Sequence, residues 1–545
     1  MKIALAQINV IIGDFEYNTR KMLSYIEKAK QQKADIIIFP ELATTGYPPR
    51  DFLEFSDFIE KAENSINQLK KASKDIAVVL GTPTVNPVVE GKDLYNSVVF
   101  LYNGQEIYRQ HKTLLPTYDI FDEARYFEEA HQWNIVAFKG KKIALTVCED
   151  LWNLGNENPL YTINPMDQLM SFRPDLIINV SASPFDYGHA RERIKILKEN
   201  VKQYQIPIFY VNHVGAQTDI IFDGGSLAIN SNQKVYKELP YFTETLEVID
   251  LKNLEKSTTE QLQPKDKITL IHDALVLGIR DYFGKIGFRS AVIGLSGGLD
   301  SAVTTVLATE ALGKENVRVL LMPSRFSSDH SVKDAEDLAK NLDIRYDIVP
   351  IQNIFESYLN ELHPLFEGRN FDVTEENIQA RIRGNLLMAI SNKFGNILLN
   401  TSNKSEMSVG YGTLYGDLAG GISVIADVYK TEVYDLARYI NREREIIPLN
   451  TIQKPPSAEL RPNQKDSDSL PDYDVLDPIL KLYIEGRKSP KEIIAMGYDE
   501  KLVNRILKLV NRNEFKRYQT APVLRVSPKA FGMGRRMPIV AKYLE

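Results

Sequence analysis

The stretch AVIGLSGGLDSA, residues 291–302, runs from β-branched apolar residues into a small glycine-rich turn and then resumes at helical spacing. A strand is predicted to end near Leu295 and a helix to begin near Asp300, with Ala302, Val303 and Val306 on its buried side. Gly297 and Gly298 let the main chain approach a ligand without a Cβ in the way, and the helix start offers unpaired amides where negative charge is favoured. A bare Gly-Gly pair serves equally well in an ordinary strand-to-helix turn. The full Ser296-Gly297-Gly298-Leu299-Asp300-Ser301 favours an anion cradle, because two hydroxyls flank it and one carboxylate can hold Mg²⁺. No GxxxxGK[ST] follows, so the turn differs from the common nucleotide P-loop. Upstream lies a long amphipathic helix, ITLIHDALVLGIRDYFGKIGF at 268–288, and downstream strands alternate with helices to about residue 450. That alternation implies a parallel, doubly wound sheet.

The rest of the chain asks for a second core. At 545 residues, 43% of them hydrophobic, it exceeds what one core organises, so two domains are expected. Residues 1–250 repeat short β-branched runs (IALAQINV, ADIIIFPE, DIAVVLGT, SVVFLY, IALTVCED, DLIINVSAS, PIFYVNHV), and Met22, Ile26 and Ala29 give one intervening helix a buried face. This suggests a layered α/β domain. The polar stretch 251–267 is the expected linker, and 268–545 the second domain. Residues 454–477, with four prolines and many Asp and Ser, mark a long exposed loop of the kind used as a lid or binding segment.

Charge and cysteine usage narrow the partners. The net charge is −6 with no long Lys/Arg run, so no nucleic-acid surface is suggested. The single cysteine excludes a disulfide framework and a multi-thiolate metal site, and fits a reducing compartment. MKIALAQINVIIGDF places Gln7 and Asn9 inside its apolar stretch and reads as a first strand rather than a signal sequence. With no uncharged run long enough for a bilayer, no membrane association and a cytoplasmic location are expected.

SGGLDS resembles the pyrophosphate-binding loop of the ATP pyrophosphatases (adenine nucleotide alpha hydrolase-like), which adenylate a carboxylate or carbonyl oxygen so that a nitrogen or sulfur nucleophile can then displace AMP. NTSNKSEMSVGYGTLYGD at 400–417, DVYKTEV, MPSRFSSDHS at 322–331 and ENIQARIRGN at 376–385 resemble NAD synthetases over nearly all of 270–545. The resemblance implies a Rossmann-like parallel sheet. It implies ATP contacts from Gly294, Leu295, Ser296, Gly297, Gly298, Leu299, Asp300 and Ser301, joined by Thr401 and Lys430. Deamido-NAD contacts would come from Asn377, Arg381, Glu406, Asp417 and Lys516, with Asp417 and Lys430 lining the adenylate and Asp300 and Glu406 holding Mg²⁺. The 454–477 segment resembles the loop that orders over the substrates.

Ammonia at neutral pH is mostly ammonium, so a nitrogen source inside the protein would help. Glu41 in IIIFPELATTGYPP, Lys112 in YRQHKTLLPTYDIFDEARYF and Cys148 in IALTVCEDLW stand at three strand ends. A lone cysteine after a strand can be a small buried hydrophobe, and Glu41 can simply open a helix. Together, however, the three suit amide hydrolysis through a thioester: Cys148 attacks as a thiolate that Lys112 favours, Glu41 takes the proton, and Lys112 with a main-chain amide holds the oxyanion. FPE, HKTLLP and CEDLW resemble the nitrilase superfamily over about 1–250, which implies an α-β-β-α sandwich, supporting roles for Tyr118 and Glu123, and glutamine contacts from Ser183 and His189. Relatives usually show Lys or Arg at the last position.

The two halves in this order resemble the glutamine-dependent NAD synthetase family. That likeness implies a homo-oligomeric ligase that frees ammonia from glutamine and uses ATP to convert deamido-NAD⁺ to NAD⁺, the final step of NAD biosynthesis. A tRNA-modifying amidotransferase should show a basic face or an RNA-binding module, and neither is visible. A non-catalytic nucleotide sensor has no use for Glu41, Lys112, Cys148, Asp300 and Glu406 together.

Overall fold

Strands covered on both faces read as continuous apolar runs, and the computed structural model, which describes residues 1–154, 160–256, 265–462 and 464–544, shows that pattern at once. Every residue of Ile36–Ile38, Leu176–Ser181 and Ile208–Asn212 is buried. The described chain divides into two units, Met1–Lys265 and Asp266–Glu545. Most of the expected linker, residues 257–264, lies outside the described residues.

In the first unit the described strands form a two-stranded hairpin, Val214–Gln217 with Ile220–Asp223, and two six-stranded sheets. One runs Thr245–Asp250, Lys2–Gln7, Ile36–Ile38, Ala77–Val85, Leu94–Tyr102, Gln105–His111; the other runs Val235–Glu238, Leu227–Ile229, Ile208–Asn212, Leu176–Ser181, Lys141–Val147, Ile135–Phe138. In each, three central strands pair parallel and the flanking strands antiparallel. Ile3, Leu5, Ile38 and Val79 of the first sheet meet Ile143, Leu145, Ile178 and Phe209 of the second in one apolar layer. Helices Phe15–Gln31 and Ser56–Ala72 cover the outer face of the first sheet through Met22, Ile26, Ile66 and Leu69. Pro165–Met170 and His189–Tyr204 cover the second through Met166, Leu169, Leu197 and Val201. This is the expected α-β-β-α sandwich.

The seven apolar runs each contribute a strand, and the structure adds others that the sequence pattern does not announce. Gln105–His111 and Thr245–Asp250 are sheet edges with mixed burial, so their polar residues face solvent and break the apolar run. Leu227–Ile229 is buried but only three residues long, too short for a period to register.

The second unit holds a five-stranded sheet in the order Arg345–Ile348, Val317–Leu321, Ala291–Gly294, Ile397–Asn400, Ile422–Ser423, with every pairing parallel. The chain starts this sheet in the middle and winds both ways, so the crevice beyond Ala291–Gly294 and Ile397–Asn400 is the switch point where ligands bind. The glycine turn opens into it, followed by helix Leu299–Leu312. Helix Val373–Phe394 packs Ile378, Ile382 and Leu387 against Val292 and Leu320. Helices Tyr473–Ile484 and Glu500–Arg512 build a further core around Leu476, Leu480, Val503, Leu507 and Val510.

The 454–477 segment departs from an exposed loop at its far end. Tyr473–Ile484 is already helical, because Leu476, Ile479 and Leu480 carry helical spacing past Pro471, and Asp466 and Leu470 are buried. Residue 463 lies outside the described residues. No described helix is long and apolar enough to cross a membrane.

Candidate active sites

In the first unit, Glu41 follows Ile36–Ile38, Lys112 follows Gln105–His111, and Cys148 opens the 3₁₀ turn Cys148–Leu151 after Lys141–Val147. All three are buried. Lys112 Nζ donates to Glu41 Oε1 and to Glu123 Oε1, each at 2.8 Å. Glu41 Oε1 also accepts from Asn96 Nδ2 at 2.7 Å, its Oε2 accepts from the Ala182 amide at 2.8 Å, and Tyr47 Oη donates to Glu123 at 2.8 Å. Burial alone would depress the Lys112 ammonium, but Glu123 and Glu41 hold its pKa well above the ordinary lysine value.

Cys148 sits at φ 39°, a left-handed conformation that a β-carbon resists. Burial pushes its thiol well up, Glu41 pushes it further, and Lys112 offsets only part of this. Lys112 does favour the thiolate, but burial and Glu41 outweigh it at rest. A protonated thiol next to an acceptor carboxylate is the state this geometry favours.

The expected supporting residues lie around that cluster. Tyr118 Oη donates to both oxygens of Glu149, at 3.0 and 3.1 Å, and Tyr161 Oη donates to the same carboxylate at 3.1 Å. Burial raises Glu149 to about 7, with Lys112 and the two phenols pulling it back. Ser183 Oγ lies 2.7 Å from His189 Nε2, and the imidazole stacks on Trp152 with centroids 4.9 Å apart. Ser183 directly follows Ala182, whose amide reaches Glu41, so the Ser183–His189 pair borders the cluster.

In the second unit a cavity of about 560 Å³ opens at the switch point. Of the expected residues, Gly294, Leu295, Ser296, Gly298, Leu299, Asp300 and Ser301 line it, as do Thr401, Glu406, Asp417 and Lys430. Asp300 Oδ1 accepts from Asn403 Nδ2 at 3.2 Å, and its other oxygen pairs with Lys430 Nζ. Burial drives the Glu406 carboxyl well above its usual range, Asp300 adds to this, and Lys430 opposes it.

Gly297 is absent from the lining. It adopts φ +80°, and a Cβ there would stand 2.1 Å from the Ser331 carbonyl oxygen. Its freedom thus serves close packing against the segment after Val317–Leu321, while a Cβ on Gly298 would meet only Ser296 Oγ, at 3.2 Å. Gly297→Ala is expected to weaken ATP binding at least about tenfold, equivalent to ~1.4 kcal/mol, while glutamine hydrolysis persists. Calorimetric titration with ATP checks it.

Asn377, Arg381 and Lys516 also lie off the cavity lining. Asn377 Oδ1 accepts from Thr413 Oγ1 at 2.7 Å, Arg381 Nε donates to the Leu414 carbonyl at 3.2 Å, and Lys516 Nζ donates to the carbonyls of Gly410 and Gly412 at 2.8 and 2.9 Å. All three converge on the GYGTL turn, which leads to Asp417.

Residues 271–520 match the NAD synthase family and residues 2–258 the carbon-nitrogen hydrolase family. The glutamine-dependent NAD(+) synthetase of Synechocystis sp. is 46% identical, with 99% of each chain covered. The chain belongs to the glutamine-dependent NAD(+) synthetase family. The Thermotoga maritima member is 39% identical over 100% of this chain and 99% of its own. The Acinetobacter baumannii glutamine-dependent NAD(+) synthetase, solved with ADP, is 39% identical with a TM-score of 0.78, covering 99% of this chain and 98% of its own.

For a glutamine-dependent NAD(+) synthetase, several pocket residues lie within the marked segments without a role that the sequence assigns them. Arg383 lines the cavity together with Ala380, Gly384 and Leu387, one helical face at i, i+3, i+4 and i+7. Burial lowers Arg383 to about 10, which Glu459 and Asp417 only partly offset. Glu459, from the proline-rich segment, accepts from Ser328 Oγ at 2.7 Å and Ser331 Oγ at 2.9 Å, and Lys454 Nζ reaches Ser331 Oγ at 3.0 Å. Described residues of the segment, among them Lys454, Glu459 and Asp466, thus line the cavity.

Proposed function

We propose that the chain makes NAD⁺ in two linked half-reactions, glutamine hydrolysis in residues 1–250 and ATP-dependent amidation of deamido-NAD⁺ in residues 268–545, with 251–267 as linker. One observation carries this reading: a single chain holds both the buried Glu41–Lys112–Cys148 cluster and a nucleotide-sized cavity rimmed by the Ser296–Ser301 turn.

Cys148 Sγ attacks the side-chain amide carbon of glutamine as Glu41 takes its proton. Lys112 and the main-chain amide beside Cys148 hold the oxyanion, an effect worth about 3 kcal/mol per donor. Glu41 returns the proton to nitrogen, ammonia leaves, and a thioester remains. Glu41 then activates water, which releases glutamate and restores the thiol. Tyr118 and Glu123 keep the cluster in place, and Ser183 and His189 hold the amino-acid end of glutamine.

In the second unit the nicotinate carboxylate attacks the α-phosphorus of ATP while the Ser296–Ser301 amides and hydroxyls hold the departing pyrophosphate. Thr401 and Lys430 complete the ATP contacts. Asn377, Arg381, Asp417 and Lys516 engage the dinucleotide at the GYGTL turn. Ammonia adds to the acyl carbon of nicotinate adenylate, and AMP leaves.

Asp300 and Glu406 would hold Mg²⁺, which would offset the phosphate charge. Among the described residues no three His, Cys, Asp or Glu form a ready-made cage, and two carboxylates fit a cation that takes its other ligands from phosphate and water. A cytoplasmic, homo-oligomeric enzyme completes the reading, supported by the single free cysteine and the family likeness.

Supplying the protein with ATP, Mg²⁺, deamido-NAD⁺ and glutamine labelled with ¹⁵N at its side-chain amide tests the proposal. The carboxamide of NAD⁺ is expected to carry the label. Unlabelled NAD⁺, or none with either glutamine or ammonium, would overturn it.

A further inference from the structure

The reaction as written gives Asp150 no task, although the side chain is 2% exposed and fully engaged. Its Oδ1 accepts from the amides of Thr113 and Leu114 at 2.9 and 3.0 Å, and its Oδ2 accepts from the amide of Val147 at 2.9 Å. Thr113 and Leu114 directly follow Lys112, and Val147 directly precedes Cys148. One carboxylate therefore ties the segment carrying the ammonium to the segment carrying the thiol.

Two features make this more than a loop staple. Cys148 holds a left-handed backbone conformation that costs on the order of 1–2 kcal/mol and persists only where its surroundings enforce it. Asp150 fixes the residue just before that strained one. All three partners are donors, so the site asks for two acceptor oxygens. An asparagine would turn its NH₂ toward an N–H and lose at least one bond. Burial raises the Asp150 carboxyl to about 6, while the three amides and Lys112 pull it back, as fits an anion held mainly by main-chain dipoles.

We propose that Asp150 is a positioning residue of the glutamine half-reaction, setting the spacing between the Lys112 ammonium and the strained Cys148. The inference rests on the roles proposed for Cys148 and Lys112. Misplacing a reacting group by about 1 Å costs about 100-fold, so Asp150→Asn is expected to lower kcat for glutamine by about that factor. KM for glutamine should stay within about threefold, and ammonium-driven NAD⁺ formation should be unchanged.

Asp150→Asn, Asp150→Glu and a Cys148→Ala control, each assayed in the full chain for glutamate release and for NAD⁺ made from ammonium, decide it together with Lys112→Met alone and combined with Asp150→Asn. Asp150→Glu keeps both acceptors at a longer reach and should fall between the parent and Asp150→Asn. Added to Lys112→Met, Asp150→Asn should cause no further loss in alkylation of Cys148 by a γ-diazoketone analogue of glutamine, since both act through the same pair. Unchanged kcat in Asp150→Asn, equal losses with glutamine and ammonium, an additive loss with Lys112→Met, or failure of both Asp150 variants to fold would each overturn the positioning role. Glutamate release surviving in Cys148→Ala would instead sink the underlying reading.

Discussion

Cys148→Ala is expected to lower glutamine-driven NAD⁺ formation by at least about 10⁴-fold and to leave the ammonium-driven reaction within about twofold of the parent. The change removes one sulfur atom from a buried position, so the sandwich should survive. Cys148 borders the apolar layer around Ile3, Ile143 and Phe209, but many larger side chains carry that layer. The second unit has its own sheet and core. Without Sγ no thioester forms, and neither Glu41 nor Lys112 can replace a nucleophile. Because burial and Glu41 keep the thiol protonated, Glu41→Gln should be nearly as damaging: the proton would then have no acceptor. Glutamate release and NAD⁺ formation, each measured with glutamine and with ammonium, check both variants. Parallel loss with both nitrogen sources, or no loss with either, would contradict two separate centres.

What the sequence disclosed follows a physical dividing line. Central strands were legible because burial on both faces demands continuous apolar runs, as in Ile36–Ile38; the edge strand Gln105–His111 was not, because solvent tolerates its polar face. Residue types at strand ends placed Glu41, Lys112 and Cys148 in one cluster, yet could not say which charges pair. Glu123 shares the Lys112 ammonium, and burial, more than any neighbouring charge, keeps the thiol protonated at rest. At the glycine turn, composition marked an anion cradle without dividing labour between its glycines. Gly297 is required by the nearby Ser331 carbonyl, whereas Gly298 caps the helix and borders the cavity. Arg383 and Glu459 lie in segments the sequence did mark, but their individual roles were not legible for a related reason: each acts through a fold that brings distant segments together.

Asp300→Ala should lower NAD⁺ formation at least about 10³-fold with glutamine and with ammonium alike, the mirror of the loss expected at Cys148. Asp300 sits in the first turn of helix Leu299–Leu312, where it receives the Asn403 amide and pairs with Lys430. Removing it has two consequences on the same side of the reaction. Lys430 loses the carboxylate that orients its ammonium, and Glu406 is left as the sole carboxylate of the proposed Mg²⁺ pair. Glu406 itself is driven strongly toward its neutral form by burial, and part of that shift comes from Asp300. Alanine therefore makes Glu406 easier to ionise while taking away the partner needed to share a divalent cation. The net effect on catalysis must be a loss, since a single carboxylate cannot offset ATP and dinucleotide phosphates brought together. Asp300→Asn separates the two consequences: it keeps the Asn403 contact but not the charge, so raising Mg²⁺ should recover part of its activity and almost none in Asp300→Ala. If Asp300→Ala retained more than a tenth of parental synthesis with ammonium, the glycine turn would not be where ATP is cleaved.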